Sequence, residues 1–132
     1  MISEADISDA LGQHLESMPG VYPIAWENRT FKAPEDPYLA FEVVRLQPED
    51  RTLNGEGTIH RGFLQVTVIG LLDKWAKPNE RQADLIAARF RKSLKLAVTG
   101  GKITVTQPPH IGQGYRDAKD WRLPVKIRYE AS

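Results

Sequence analysis

Strict alternation marks the end of the chain. Trp121, Leu123, Val125, Ile127 and Tyr129 stand at every second position, with Arg122, Pro124, Lys126, Arg128 and Glu130 between them. Side chains two apart share one face of a strand, so this pattern predicts a strand with one core face and one wet face. Pro124 has no N–H to give to a ladder, which predicts that the strand lies at an edge or is bulged there. Ile59 to Leu72 reads as a second long strand. Its Phe63, Leu64, Val66, Val68 and Ile69 crowd both faces, as in the middle of a sheet. Tyr38 to Leu46 is a third, with Leu39, Phe41 and Val43 alternating with Ala40, Glu42 and Val44. Val21 to Trp26 is a short strand broken by Pro23, and Lys102 to Gln107 is another, with Ile103 and Val105 inward.

Two segments carry the helical period instead. Ser3 is a good N-cap, Glu4 and Asp6 suit the positive end of the helix dipole, and Ile2 and Ile7 are spaced as a staple around the cap. Ile7, Leu11, His14, Leu15 and Met18 then share a face, and Pro19-Gly20 stops the helix. A second helix starts near Pro78, with Ala83, Ile86, Ala87, Phe90 and Leu94 on one face. Glu80 and Asp84 near its start and Arg89, Arg91, Lys92 and Lys95 near its end complement the dipole, and Gly100-Gly101 closes the element. Lys32 to Pro37 and Pro108 to Asp120 read as loops, and Gln47 to Thr58 as a loop or long hairpin tip. The order α-β-β-β-α-β-β predicts an α+β fold, with a mixed, mainly antiparallel sheet and two helices packed on one face.

Composition narrows this further. A chain of 132 residues, 41% apolar and 27% charged, is expected to form one domain over residues 1–132 with a sizeable core. The absence of cysteine removes disulfides, thiolate nucleophiles and Cys-based metal sites together. No apolar run has the length of a membrane-spanning helix, and the acidic, polar stretch from Met1 to Asp9 is unlike a signal peptide. The formal charge of +1 hides an asymmetry: residues 1–84 carry 8 Lys and Arg against 14 Asp and Glu, whereas residues 85–132 carry 10 against 3.

Candidate chemistry is sparse. His14, His60 and His110 stand far apart and in no metal-ligand spacing. His14 lies on the apolar face of the first helix and reads as a packed histidine. His60 reads as a surface residue, and His110, after Pro108-Pro109, as the best placed of the three for a site. None of Ser3, Ser8, Ser17, Ser93 and Ser132 sits in a nucleophile elbow. Gly55-Glu56-Gly57 and Gly112-Gln113-Gly114 read as turns, since neither opens a helix or precedes Lys-Ser/Thr. The basic run Arg116, Lys119, Arg122, Lys126 and Arg128, near Tyr115 and Trp121, has the footprint of a single-strand binder. Trp121, however, shares its face with Leu123 and Val125, and a near-zero net charge speaks against generic nucleic-acid binding. The expectation is a protein that is not an enzyme and holds no cofactor or metal.

Several phrases together resemble the phage tail terminator, or minor tail protein U-like, family. They are Met18-Pro19-Gly20-Val21, then Pro23-Ile24-Ala25-Trp26-Glu27-Asn28, then Phe31, Pro34 and Pro37-Tyr38-Leu39. The run Arg61-Gly62-Phe63-Leu64-Gln65-Val66-Thr67-Val68 is similar to the family's central strand. Thr106-Gln107-Pro108-Pro109 and the run from Trp121 to Tyr129 are similar to its C-terminal part. The resemblance implies a homo-oligomeric ring, typically of six subunits, that ends polymerisation of the tail tube and offers a surface to head-completion proteins. Its partners would be copies of itself, the tube protein and a head-completion protein, in a virion tail assembled in the host bacterial cytoplasm. A neck or head-completion connector is the nearest alternative, and a nucleic-acid-binding module the next. A closed ring beyond a dimer needs two different patches on each subunit. The charge asymmetry suggests them: Glu35, Asp36, Glu49 and Asp50 on the acidic side, and Arg116, Arg122, Lys126 and Arg128 on the basic side.

Overall fold

The computed structural model describes residues 2–27, 29–32, 36–50, 57–71 and 77–132. Its elements in chain order are α1 (Glu4–Glu16), β1 (Ile24–Ala25), β2 (Tyr38–Arg45), β3 (Glu49–Asp50), β4 (Thr58–Leu71), α2 (Lys77–Arg89), β5 (Lys95–Val98), β6 (Gly101–Val105), β7 (His110–Ile111), β8 (Tyr115–Asp117) and β9 (Asp120–Ala131). The main sheet runs β1-β2-β4-β9-β6-β5, with β3 beside β4 and with β7 and β8 beside β9. Every pairing is antiparallel except β1 with β2. The fold is therefore α+β with two helices and a mixed, mostly antiparallel sheet. The element order expected from the sequence is incomplete, because the short strands β3, β5, β7 and β8 are added to it.

The terminal strand is central, so of the two positions expected for it, an edge or a bulge at Pro124, the edge is excluded. One side of β9 pairs with β4 from His60–Ala131 to Leu71–Asp120, and the other side pairs in turn with β8, β7 and β6. Pro124 is tolerated because its amide side faces a break. Its carbonyl accepts from Gly112 N at 2.8 Å, and an antiparallel residue presents N–H and C=O to the same neighbour. The missing N–H thus points at the gap between β7 and β8. There the partner segment bulges: Ile111 lies opposite Val125 and Tyr115 opposite Arg122, four steps against three.

Both helices start as their sequences predict. Ser3 Oγ accepts from Asp6 N at 3.1 Å, and Ile2 and Ile7 are both buried. The end of α2 is earlier than its apolar period implies. Residues Arg91, Lys92 and Lys95 lie beyond it rather than in its last turn. Ser93 turns the chain with φ 71, and Ser93 N and Val105 N bond Val105 O and Leu94 O respectively. Leu94 is thus brought to the core by a turn and a strand pairing, at a position where a helix would also have put it. The β5–β6 hairpin follows, turning through Thr99-Gly100 with Gly100 at φ 89. Within the Gln47–Thr58 segment, β3 runs antiparallel to the start of β4, with Glu49 opposite Ile59 and Asp50 opposite Thr58. Its residues 51–56 lie outside the described ones.

Three rows cross the middle of the sheet on one face: Val43–Leu64–Ile127, Phe41–Val66–Val125 and Leu39–Val68–Leu123. These join Ile7, Leu11 and Leu15 of α1, Ala83 and Ile86 of α2, and Phe90 in one apolar cluster. Trp26 extends it by packing on Phe41 with ring centroids 5.0 Å apart. Tyr129 is buried in the cluster at 1% exposure, and its hydroxyl has no hydrogen-bond partner among the described residues. Burial, with the nearby Glu4 charge, pushes this phenol up to about 12, against an opposing effect of Arg45. Gly62 makes the room: a Cβ there would run into Val44 O and stand 2.8 Å from Tyr129 Oη.

Two opposite outcomes follow for this neighbourhood. Tyr129→Phe deletes an orphaned buried hydroxyl, so it is expected to leave stability unchanged or raise it by about 1 kcal/mol. Gly62→Ala overpacks the same spot and is expected to cost about 2 kcal/mol or more. Urea unfolding of the three proteins checks both signs.

Candidate functional site

The sheet's outward face is set by the register of its core face. Val44–Phe63–Arg128 form one row across it, and Glu42–Gln65–Lys126–His110 form the next. Lys126 Nζ lies 4.4 Å from the centroid of the Phe63 ring and Arg128 Cζ lies 5.9 Å from it. Two cations thus share one aromatic face, which holds their stems against the sheet and leaves their charges available to a partner. Of the proposed basic interface residues, these two are brought together. Arg116 is exposed on β8. Arg122 is occupied within the subunit: Nε lies 3.1 Å from Asp117 Oδ2 and Nη2 3.7 Å from Asp120 Oδ2. The Nε is not aligned for a hydrogen bond to that carboxylate, so this is an ion pair only.

The acidic candidates scatter. Asp36 is exposed before β2, and Glu49 and Asp50 are exposed on β3, where Glu49 lies 3.8 Å from Arg61. Glu35 lies outside the described residues. Glu49 and Asp50 are both engaged within the subunit.

Polar joints tie α1 to the rest. Glu4 takes His60 Nδ1 at 2.9 Å and Arg45 Nε at 3.1 Å, and Arg45 Nη2 donates to Ser8 Oγ at 2.8 Å. His60 is therefore no ordinary surface residue; its side chain is 14% exposed. At the other end, Arg89 Nε donates to His14 O at 3.1 Å and Arg89 Nη2 to Ser17 Oγ at 2.7 Å. His14 returns a bond from Nε2 to Arg89 O at 2.9 Å and packs edge-on to Phe90. This is the packed histidine its position implied. Burial pushes its imidazole below the ordinary value of 6.5, the charges of Arg89 and Arg91 add to this, and the bond to the Arg89 carbonyl opposes it.

The concave regions are shallow and polar-rimmed. One of about 380 Å³ lies beside α1, with Asp9, Glu16, Glu27, Trp26 and Phe41 among its lining residues. Another of about 200 Å³ is lined by Gln65, His110, Gly112, Tyr115, Pro124 and Lys126, with no carboxylate to pair with the histidine. Trp121, expected in the core, is half-buried at the end of the sheet, where Gly114 lies against its indole with no room for a Cβ. Among the described residues no three His, Asp or Glu side chains converge as metal ligands. No described helix is long and apolar enough to cross a membrane. The sequence reading missed Phe63 as the seat of two cations. It also assigned Arg91, Lys92 and Lys95 to a helix end they do not occupy. The signal available was the run from Leu85 to Arg116, which contains no Asp or Glu.

Comparison with known proteins gives three results. The model of the family described as phage tail terminator protein matches residues 6–129. One solved chain is 24% identical with a TM-score of 0.82, the match covering 100% of this chain and 97% of that one. A chain from the virion of a native gene transfer agent (GTA) particle is 13% identical with a TM-score of 0.66, covering 98% of each. These likenesses show a shared fold over the full length. No curated protein matches the sequence.

The His14 environment has a signed pH dependence. Its folded-state pKa lies below the unfolded value of about 6.5, so its contribution to stability is complete above that pH and is lost as pH falls through the folded value. The unfolding midpoint of the native protein is expected to drop between pH 7 and pH 5 by more than that of His14→Gln, whose amide can still donate to Arg89 O. Thermal melts of both proteins across that range check it.

Proposed function

This chain belongs to the phage tail terminator protein family, and from that premise we propose that it closes into a ring, a hexamer, which caps the tail tube. The family match carries the reading, since it spans residues 6–129, from α1 to near the end of β9. A structural role in a phage tail follows from membership. The ring, the halt to tube polymerisation and the joining surface for the head are the finer proposal. That a chain of the same fold sits in a gene transfer agent virion agrees with a place in the virion.

The physical mechanism is binding without chemistry. One face of the ring matches the tube end, and the other refuses a further tube ring while accepting a head-completion protein. A closed ring of identical subunits meets through two unlike patches. The eight charged residues named from the sequence supply candidates for these surfaces. Of them Lys126 and Arg128, held on Phe63, are the most available basic pair. Exposed ion pairs of this kind contribute about 0–1 kcal/mol each, so they orient subunits more than they hold them.

The test is negative-stain imaging with tube protein polymerising in the presence and absence of this chain. Rings alone, rings at one tube end, and shorter tubes as the chain is added are the expected outcome. Tubes of unchanged length with bare ends would overturn the capping role, and rings that ignore tube ends would assign the protein to the neck.

A further inference from the structure

The fold separates charge between the two edges of its sheet. At one edge, Arg91 and Lys92 follow α2, Lys95 begins β5 and Lys102 lies on β6. All four are exposed, and none forms an ion pair among the described residues. The strand β5 ends the sheet and has a strand neighbour on one side only. At the opposite edge β1 is just Ile24–Ala25, so it covers only the start of β2. Beyond it, Val43 N is met by the Glu27 carboxylate instead of a strand. Glu27, Asp36 and Glu42 are exposed there, and a groove toward α1 adds Asp9 and Glu16 to Glu27, against Arg29, with half-buried Trp26 and buried Phe41 also lining it.

Five strand spacings separate the two edges, roughly 24 Å, so a subunit cannot satisfy one with the other. A second copy can, and each contact leaves a free edge of each sign for the next copy. We propose that the basic β5–β6 edge of one copy docks on the acidic β1–β2 edge of its neighbour. This rests on the ring reading and names its subunit contact, giving it to Lys95 and Lys102 against Asp36 and Glu42.

Sedimentation velocity over a concentration series tests the contact. Two reversals are made: Lys95→Glu with Lys102→Glu, and Asp36→Lys with Glu42→Lys. All four side chains are exposed, and thermal melts confirm folding; should a reversal unfold, Lys95→Gln with Lys102→Gln replaces it, with a smaller shift in the same direction. Each reversal is expected to raise the concentration for half-assembly by roughly tenfold or more, as loss of charge complementarity does. An equimolar mixture of the two is expected to associate through the swapped pair. Native rings with both edge reversals unaffected would overturn this contact alone. A native chain that stays monomeric at every concentration and beside tube ends would overturn the ring reading and this inference with it. Binding of a duplex DNA oligonucleotide that is lost in Lys95→Glu with Lys102→Glu while rings persist would assign the basic edge to nucleic acid, and would also overturn it.

Discussion

The ladder between β4 and β9 is the contact on which the rest of the molecule depends. It runs from His60–Ala131 to Leu71–Asp120 and joins the two longest strands. Side chains alternate with a period of two, so a slip by one residue would turn Leu123, Val125 and Ile127 outward and bury Arg122, Lys126 and Arg128. Burying unpaired cations is far costlier than exposing them, so one register stands well below its neighbours in free energy. The other strands take their places from it: β2 on the far side of β4, and β6, β7 and β8 in succession along β9.

That register also determines the character of the two surfaces. The apolar rows it aligns join both helices in one cluster. The polar joints at the ends of α1 add direction more than energy: Glu4 holds Arg45 and His60, and Arg89 caps the carbonyl end at His14. On the outward face the same register puts Phe63 beside Lys126 and Arg128. The β8–β9 hairpin meanwhile brings Asp117 and Asp120 to Arg122 and neutralises it. Equal charges in the sequence thus become unequal in the fold, some taken up internally and some presented.

A structural protein of a phage tail is expected to concentrate its specificity in surfaces. The described grooves are shallow, and two of the three histidines serve as struts: His14 against α2, His60 against α1. A ring of identical subunits needs each one to carry two unlike surfaces. A twisted open sheet has two edges by construction, and here they differ in sign, in strand length and in how their backbone groups are closed. An open sheet edge is a liability in a monomer, and Lys95 at the start of β5 blunts it against indiscriminate pairing.

Read alone, the sequence determined the elements whose own periodicity is unambiguous. The alternation from Trp121 to Tyr129, the double-faced apolar run of β4 and the capped start of α1 all stand where their residues put them. These patterns are local, and burial of one face is enough to impose them. Tertiary structure decided the features that depend on a partner far along the chain. Pro124 reads as an edge residue until the break between β7 and β8 accommodates its missing N–H. Leu94 reads as helix until Val105 claims it, because a buried apolar position satisfies either geometry. The short strands β3, β5, β7 and β8 carry too few residues for a period and form only because β4, β6 and β9 offer them an edge. The charged surface was legible as an imbalance between two parts of the chain. Which cations are neutralised and which are presented was not, because ion pairing depends on distances that only the folded register sets.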